Sequence, residues 1–137
     1  DSDANAVDAA RRNAEINGVP GVTVIHSDGF AGTRETGFTK ILCNPPYVEA
    51  GADLPPDVAR YEPEAALYAG ADGLDAYRAL APQLARLLAP GGIACLEIGA
   101  GQQASVSALM AAEGFTIESR RDLNGIVRCL ILAVDIR

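Results

Sequence analysis

At 137 residues the chain is long enough for one domain with its own core, and 49% apolar against 21% charged residues is an ordinary globular balance. A formal charge of −7 without any basic run argues against tight nucleic-acid binding by this chain alone, while leaving a protein partner open. No apolar run is long enough to cross a bilayer and no signal-peptide pattern is present, so a cytoplasmic location without membrane contact is expected.

An Ala-rich segment running to Asn17 places Ala6, Val7, Ala10 and Ala14 at helical spacing, with Arg11, Arg12 and Glu15 as a solvated face. Asp3 or Asn5 suits the N-cap and Asn17-Gly18 the stop. Val22 to Ser27 is a β-branched run that reads as a strand, closed by Asp28-Gly29-Phe30. Its His26, the single histidine, reads as structural. Ile41-Leu42-Cys43 reads as a short buried strand. From Val48 to about Leu67 the chain is rich in Pro, Gly and acidic residues without a period, the character of a functional loop or lid. Ala76 to Leu88 predicts a helix with Tyr77, Leu80, Leu84, Leu87 and Leu88 on its apolar stripe and Pro82 inside it. Ala89-Pro90-Gly91-Gly92 reads as a stop, Ile93–Ile98 as a strand and Gln103–Glu113 as a helix ended by Gly114. Phe115–Arg121 and Val127–Val134 read as two strands joined at Asn124-Gly125. Such alternation predicts an α/β sheet, parallel at its centre, with a closing pair near the carboxyl terminus. Cys43, Cys95 and Cys129 lie far apart inside apolar runs without metal-ligand spacing, which predicts reduced, buried thiols and no metal site.

The chemistry gathers at Asn44-Pro45-Pro46-Tyr47. Two prolines directly after a strand forbid further ladder pairing and any helical turn, and Pro46 confines Pro45 to extended geometry. The result is a stiff hook at the carboxyl end of a strand, where open α/β sheets bind ligands. It presents the Asn44 amide, the Pro45 carbonyl and the Tyr47 ring. Two acceptors aimed at one point can take both hydrogens of an NH2 group while a ring covers its flat face, so the hook reads as a site for a planar amino group.

Asn-Pro-Pro-Tyr after an apolar strand resembles the signature of methyltransferases that alkylate planar nitrogens with S-adenosylmethionine. Within them the chain resembles the HemK/PrmC family, the release factor glutamine methyltransferases, along nearly its whole length. The resemblance is carried by Ser27-Asp28-Gly29-Phe30, Asn44-Pro45-Pro46-Tyr47-Val48, Asp53 to Val58, Arg60-Tyr61-Glu62-Pro63, Ala66 to Asp75 with Tyr77-Arg78, Pro90-Gly91-Gly92, and Leu96-Glu97-Ile98-Gly99. It implies a partial class I methyltransferase sheet of Rossmann-like type, mostly parallel, with an antiparallel C-terminal strand. The implied activity is methyl transfer to the side-chain amide nitrogen of the glutamine in the Gly-Gly-Gln motif of peptide chain release factors, those factors being the partners. Asn44, Pro45 and Tyr47 are the implied catalytic residues, and Asn44, Pro45, Pro46 and Tyr47 hold the substrate amide. For S-adenosylmethionine, Asp1 stands at the position that binds the ribose and Asp28 at the one that meets the adenine amino group. Gly29, Phe30 and Asn44 complete the cofactor set. The family often has an aromatic at the Gly29 position, where Phe30 substitutes here. Glu62 and Asp72 read as loop-ordering residues.

The family's Gly-rich cofactor loop has no counterpart here, because Gly99-Ala100-Gly101 reads as a simple strand-to-helix turn. Residues 1–137 are therefore expected to be the C-terminal part of a catalytic domain, with the first strand, the glycine loop and a helical substrate domain upstream. Residues 22–27 should then lack strand neighbours, leaving unpaired edges and exposed apolar faces, and the isolated chain should bind the cofactor weakly. Two other readings remain: a methyltransferase for another planar nitrogen (ribosomal-protein glutamine or nucleic-acid adenine), and an inactive fragment or binding module that keeps the amide pocket.

Overall fold

In a computed structural model, which describes residues 1–134, the chain divides into two compact units, Asp1–Glu35 and Thr36–Arg137. In the first, α1 spans Ala4–Ile16. Asp3 is its N-cap, its carboxylate accepting the Ala6 N–H at 2.8 Å, and Val7 is its one buried residue. Asn17 caps the other end, and Gly18 leaves at φ +63°, a conformation that glycine adopts without steric cost.

The strand expected over Val22–Ser27 does not form; the segment belongs to no ladder. A strand exists only through its neighbours, and this segment finds a single residue to pair with. The Asp1 amino group donates to the Ile25 carbonyl at 3.0 Å, and the Ser27 N–H donates to the Asp1 carbonyl at 2.8 Å. Those two bonds make one rung of a parallel ladder opposite His26, whose Nε2 lies 2.9 Å from the Ser2 carbonyl oxygen. Val22 and Ile25 are exposed. Arg11, expected on a solvated face, is exposed and still donates to the Val24 carbonyl at 3.3 Å.

The second unit is a four-stranded sheet with helices. Its strands are β1 (Phe38–Cys43), β2 (Leu88–Glu97), β3 (Phe115–Arg121) and β4 (Val127–Val134), in the order β1-β2-β4-β3. β1 pairs parallel with β2, and β4 runs antiparallel between β2 and β3. The strand inserted last in sequence is thus the antiparallel one, as expected. Ile41, Ala94, Leu96, Leu130 and Leu132 alternate onto one face and are all buried. α4 (Asp75–Leu87) packs on β2, and α5 (Gln103–Ala112) on β3, β4 and α4. Tyr77, Leu80, Leu84 and Leu87 of α4, and Val106 and Met110 of α5, fill the space between. Pro82 sits in α4 on its exposed side.

Two local expectations change. Helix α4 does stop ahead of Ala89-Pro90-Gly91-Gly92, at Leu87, but these residues lie within β2 as a bulge rather than before the strand: Phe38 pairs with Leu88, yet Lys40 pairs with Ile93. A Cβ on Gly92 would lie 2.7 Å from the Phe38 carbonyl oxygen, so the bulge requires glycine there. The segment from Val48 to Leu67, expected to be irregular, contains two short helices, α2 (Pro56–Tyr61) and α3 (Glu64–Leu67). Neither is long enough to show a hydrophobic period in sequence. Among the described residues, no helix is long and apolar enough to cross a membrane.

Candidate active site

The parallel register sets Cys43 of β1 beside Leu96 of β2, so both strands deliver their carboxyl ends to the same edge of the sheet. The chain leaves β1 there as the hook. Asn44 is exposed, Pro45 is buried, and Pro46 and Tyr47 are half-buried. No group among the described residues bonds the Asn44 side-chain amide or the Pro45 carbonyl, and Asn44 is exposed. Beside Asn44 lies a cleft of about 370 Å³ lined by Leu42, Cys43, Cys95, Glu97, Arg128 and Cys129.

Beyond the hook the backbone is fastened at once. The Val48 N–H donates to the Leu67 carbonyl at 2.9 Å, the Ala69 N–H to the Val48 carbonyl at 2.8 Å, and the Ala50 N–H to the Gly70 carbonyl at 2.9 Å. The loop before α4 therefore lies along the outgoing hook in parallel pairing. It is ordered by Asp72, whose carboxylate takes two bonds from Arg78 (3.0 and 2.5 Å) and one from the Leu74 N–H (3.1 Å). The Arg78 guanidinium holds the Asp72 carboxyl below the usual carboxylate range, and Asp72 in turn raises Arg78. Glu62 forms the carboxyl cap of α2.

Tyr47 is the best-held member of the hook. Its hydroxyl donates to Glu97 Oε1 at 3.4 Å, and the Arg128 guanidinium lies 5.9 Å from its ring centroid, a cation–π distance. Arg128 also donates to the Ile98 carbonyl at 3.3 Å. The Tyr47 carbonyl accepts from Gln102 Nε2 at 3.0 Å. A Cβ on Gly99 would stand 3.1 Å from the Tyr47 ring, and one on Gly73 would stand 2.5 Å from the Tyr47 carbonyl oxygen. Glycine at both places is what lets two loops close on this residue.

Gly73, Glu97, Gln102 and Arg128 had no site role in the sequence reading. For Glu97 and Gly73 a signal existed in the Leu-Glu-Ile-Gly and Asp-Gly-Leu blocks. Gln102 and Arg128 had none, since each acts on residues remote in sequence.

Burial pushes the Cys43 thiol up to about 11 and the Tyr77 hydroxyl up as well, so both stay protonated at neutral pH. Burial and the neighbouring Cys95 raise Cys129. The three cysteines are free, as expected, but half-buried rather than buried. Among the described residues no cluster of three His, Cys, Asp or Glu side chains could hold a metal ion.

In the first unit, the Asp1 carboxylate accepts from the Asp3 N–H at 2.9 Å. Asp28 follows two residues after the position opposite Asp1, and its carbonyl accepts from Ala31 at 3.1 Å to form a turn. Asp1 and Asp28 are both exposed, Gly29 turns at φ +52°, and Phe30 is half-buried.

A family model described as "Methyltransferase small domain" matches residues 1–61. The release factor glutamine methyltransferase of Rhodospirillum rubrum is 41% identical over 129 residues, which is 92% of this chain and 40% of that protein. That of Geobacter sulfurreducens is 40% identical over 90% of this chain and 44% of its own length, and that of Moorella thermoacetica 44% identical over 80% and 39%. The chain thus spans about two fifths of the length of the curated relatives it matches. Among solved structures, a ribosomal protein L11 methylase from Lactobacillus delbrueckii subsp. bulgaricus aligns with a TM-score of 0.68 at 19% identity, covering 98% of this chain and 55% of the other. A methyltransferase from Pyrococcus furiosus aligns with a TM-score of 0.66 at 19% identity, covering 99% and 61%. These likenesses show the class I methyltransferase fold.

Proposed function

We infer function from the premise that this chain belongs by sequence to the release factor glutamine methyltransferases, of which it spans about two fifths. The reading is that residues 1–137 are the C-terminal part of a catalytic domain. They supply the acceptor site of an enzyme that methylates the side-chain amide nitrogen of the glutamine in the Gly-Gly-Gln motif of peptide chain release factors, in the cytoplasm. The observation that carries it is the pair of unbonded acceptors, the Asn44 amide and the Pro45 carbonyl, on a proline-stiffened turn at the carboxyl edge of β1.

S-adenosylmethionine, when bound, supplies an activated methyl group on a sulfonium. Asp1 and Asp28, both exposed, would hold its nucleoside end, since carboxylates can accept from a ribose diol and an exocyclic amine, with Gly29 and Phe30 next to Asp28 in the chain. The chain's own task concerns the acceptor, an amide nitrogen whose lone pair is delocalised into its carbonyl. Asn44 Oδ1 accepts one N–H of that amide and the Pro45 carbonyl accepts the other, which orients the nitrogen and stabilises the positive charge growing on it. Pro46 keeps the Pro45 carbonyl aimed, and the Tyr47 ring packs against the amide plane. No general base is needed before transfer, so the thiol of Cys43 and the phenol of Tyr77 can stay protonated.

The test uses the intact enzyme, meaning this chain with the upstream part its relatives carry. Asn44→Ala should retain the fold, because the side chain is exposed and unbonded. It should lose methyl transfer to a Gly-Gly-Gln peptide by roughly 30- to 1000-fold, the effect of about 2–4 kcal/mol of lost alignment. Near-normal turnover by folded Asn44→Ala protein would sink the assignment. Preferential methylation of a ribosomal-protein glutamine or of adenine would redirect it to another planar nitrogen.

A further inference from the structure

The polar atoms of one side chain behind the hook reach four separate groups of the chain. Gln102 Nε2 donates to the Tyr47 carbonyl at 3.0 Å and to the Gly73 carbonyl at 3.3 Å. Its Oε1 accepts from the Gly99 N–H at 2.9 Å and has the Tyr77 hydroxyl at 3.4 Å, a group that also donates to the Glu97 carbonyl at 3.1 Å. A carboxamide offers two donors and two acceptor sites; here both donors and one acceptor site have partners, and the single Tyr77 hydroxyl proton is shared between the Glu97 carbonyl and Oε1. Only one orientation of the amide works, because flipping it would set oxygen against two carbonyls and NH2 against an N–H. The surroundings are cut to fit the group. A Cβ on Gly99 would come within 2.7 Å of Oε1, and one on Gly73 within 2.9 Å of Nε2.

We propose that Gln102 is the positioning residue of the hook: it locks the Tyr47 carbonyl to the Gly73 loop and to the exit of β2, so that Asn44 and Pro45 keep their aim without Gln102 touching the substrate. The proposal rests on the amide-methylating reading above and adds a residue to it. No other side chain type meets the same four groups. Glutamate at 102 would place carboxylate oxygens against two carbonyls, and leucine would leave those carbonyls and the Gly99 N–H without their partner. Gln102 binds neither reactant, so its loss should act on alignment, seen in kcat, rather than on the docking of the protein substrate, seen in KM.

The experiment compares native intact enzyme with Gln102→Leu and Gln102→Glu, and with Asn44→Ala as a reference for loss of the hook itself. Expected for both Gln102 variants is a fall in kcat of about 10- to 100-fold on a Gly-Gly-Gln peptide, with KM changed less than about threefold. The readout independent of turnover is amide hydrogen exchange. Gln102→Leu should speed exchange in residues 47–50 and 73–75 and leave β4 protected. Native kcat in either variant, or unchanged exchange in residues 47–50, overturns the proposal. So does a lower melting temperature with normal kcat per folded molecule, which marks a purely structural residue. Should Asn44→Ala transfer normally, the hook reading itself fails and this proposal with it. A loss in Asn44→Ala without a loss in Gln102→Leu removes the Gln102 role alone.

Discussion

Gly73→Ala offers a sharp probe of whether the hook is held from behind. Gly73 has φ +69°, and a Cβ there would sit 2.5 Å from the backbone oxygen of Tyr47. Two costs follow and they can be separated. The left-handed conformation costs an alanine about 1–2 kcal/mol wherever it occurs. Gly125, at φ +79° in the β3–β4 turn with open space around its Cβ position, incurs this cost alone, so Gly125→Ala is the matched control. Gly73→Ala adds the collision. The atom it meets is main chain, so relief requires the hook to retreat by about 1 Å to regain ordinary contact. The Tyr47 carbonyl cannot retreat without straining its bond to Gln102. A misplacement of that size costs about 100-fold in rate. The assay is methyl transfer to a Gly-Gly-Gln peptide by intact enzyme, with urea unfolding of both variants. Gly73→Ala should lose at least as much conformational stability as Gly125→Ala, and it alone should lose the rate, by about two orders of magnitude. Equal rates in two folded variants would refute the claim that the Tyr47 backbone position governs the acceptor site.

Asp1→Asn and Asp28→Asn in intact enzyme should each raise the dissociation constant for S-adenosylmethionine by about tenfold, with maximal rate at saturation changed much less. Unchanged affinity by calorimetry would remove that residue from the cofactor set. Cys43, pushed up to about 11 by burial, predicts an alkaline instability. The unfolded thiol ionises near pH 9 and the folded one later, so stability is intact below pH 9 and falls as pH rises toward 11, by up to roughly 3 kcal/mol. Urea unfolding from pH 8 to 11 should show this decline reduced in Cys43→Ala; Tyr77, also raised by burial, steepens the upper part. An equal decline with and without Cys43 rules the thiol out as its source.

How much of this was legible in sequence depends on how local the cause is. α1, α4 and α5 declare themselves through apolar spacing and punctuation, and Asp3, Gly18 and Gly114 stand at their ends as capping chemistry requires. β3 and β4 are legible because the Asn124-Gly125 turn joins an alternating segment to an apolar run that pairs with it. Val22–Ser27 misleads for the opposite reason. Its β-branched residues state a preference, but a strand is a relation between segments, and among the described residues Asp1 forms a single rung with it. Likewise the bulge at Pro90-Gly91-Gly92 depends on how closely the Phe38 carbonyl approaches, which nothing near residue 91 encodes.

The same division runs through the site. Asn44-Pro45-Pro46-Tyr47 is readable because two prolines impose their geometry within four residues, whatever surrounds them. Gln102 is not readable, since its partner Tyr47 lies 55 residues away and only the fold brings them together. Yet the two parts explain one another. Upstream, Asn44 leaves β1, which is fixed by its ladder to β2. Downstream, Tyr47 is fixed by Gln102, and Val48 by its pairing with the loop before α4. Between those anchors the prolines remove most of the remaining backbone freedom. The two acceptors are therefore ordered before any substrate arrives, and little of the binding energy is consumed in ordering them. The downstream anchor has its own substitutions, at Gln102 and Gly73, and a hook held at both ends should lose rate when that end is released.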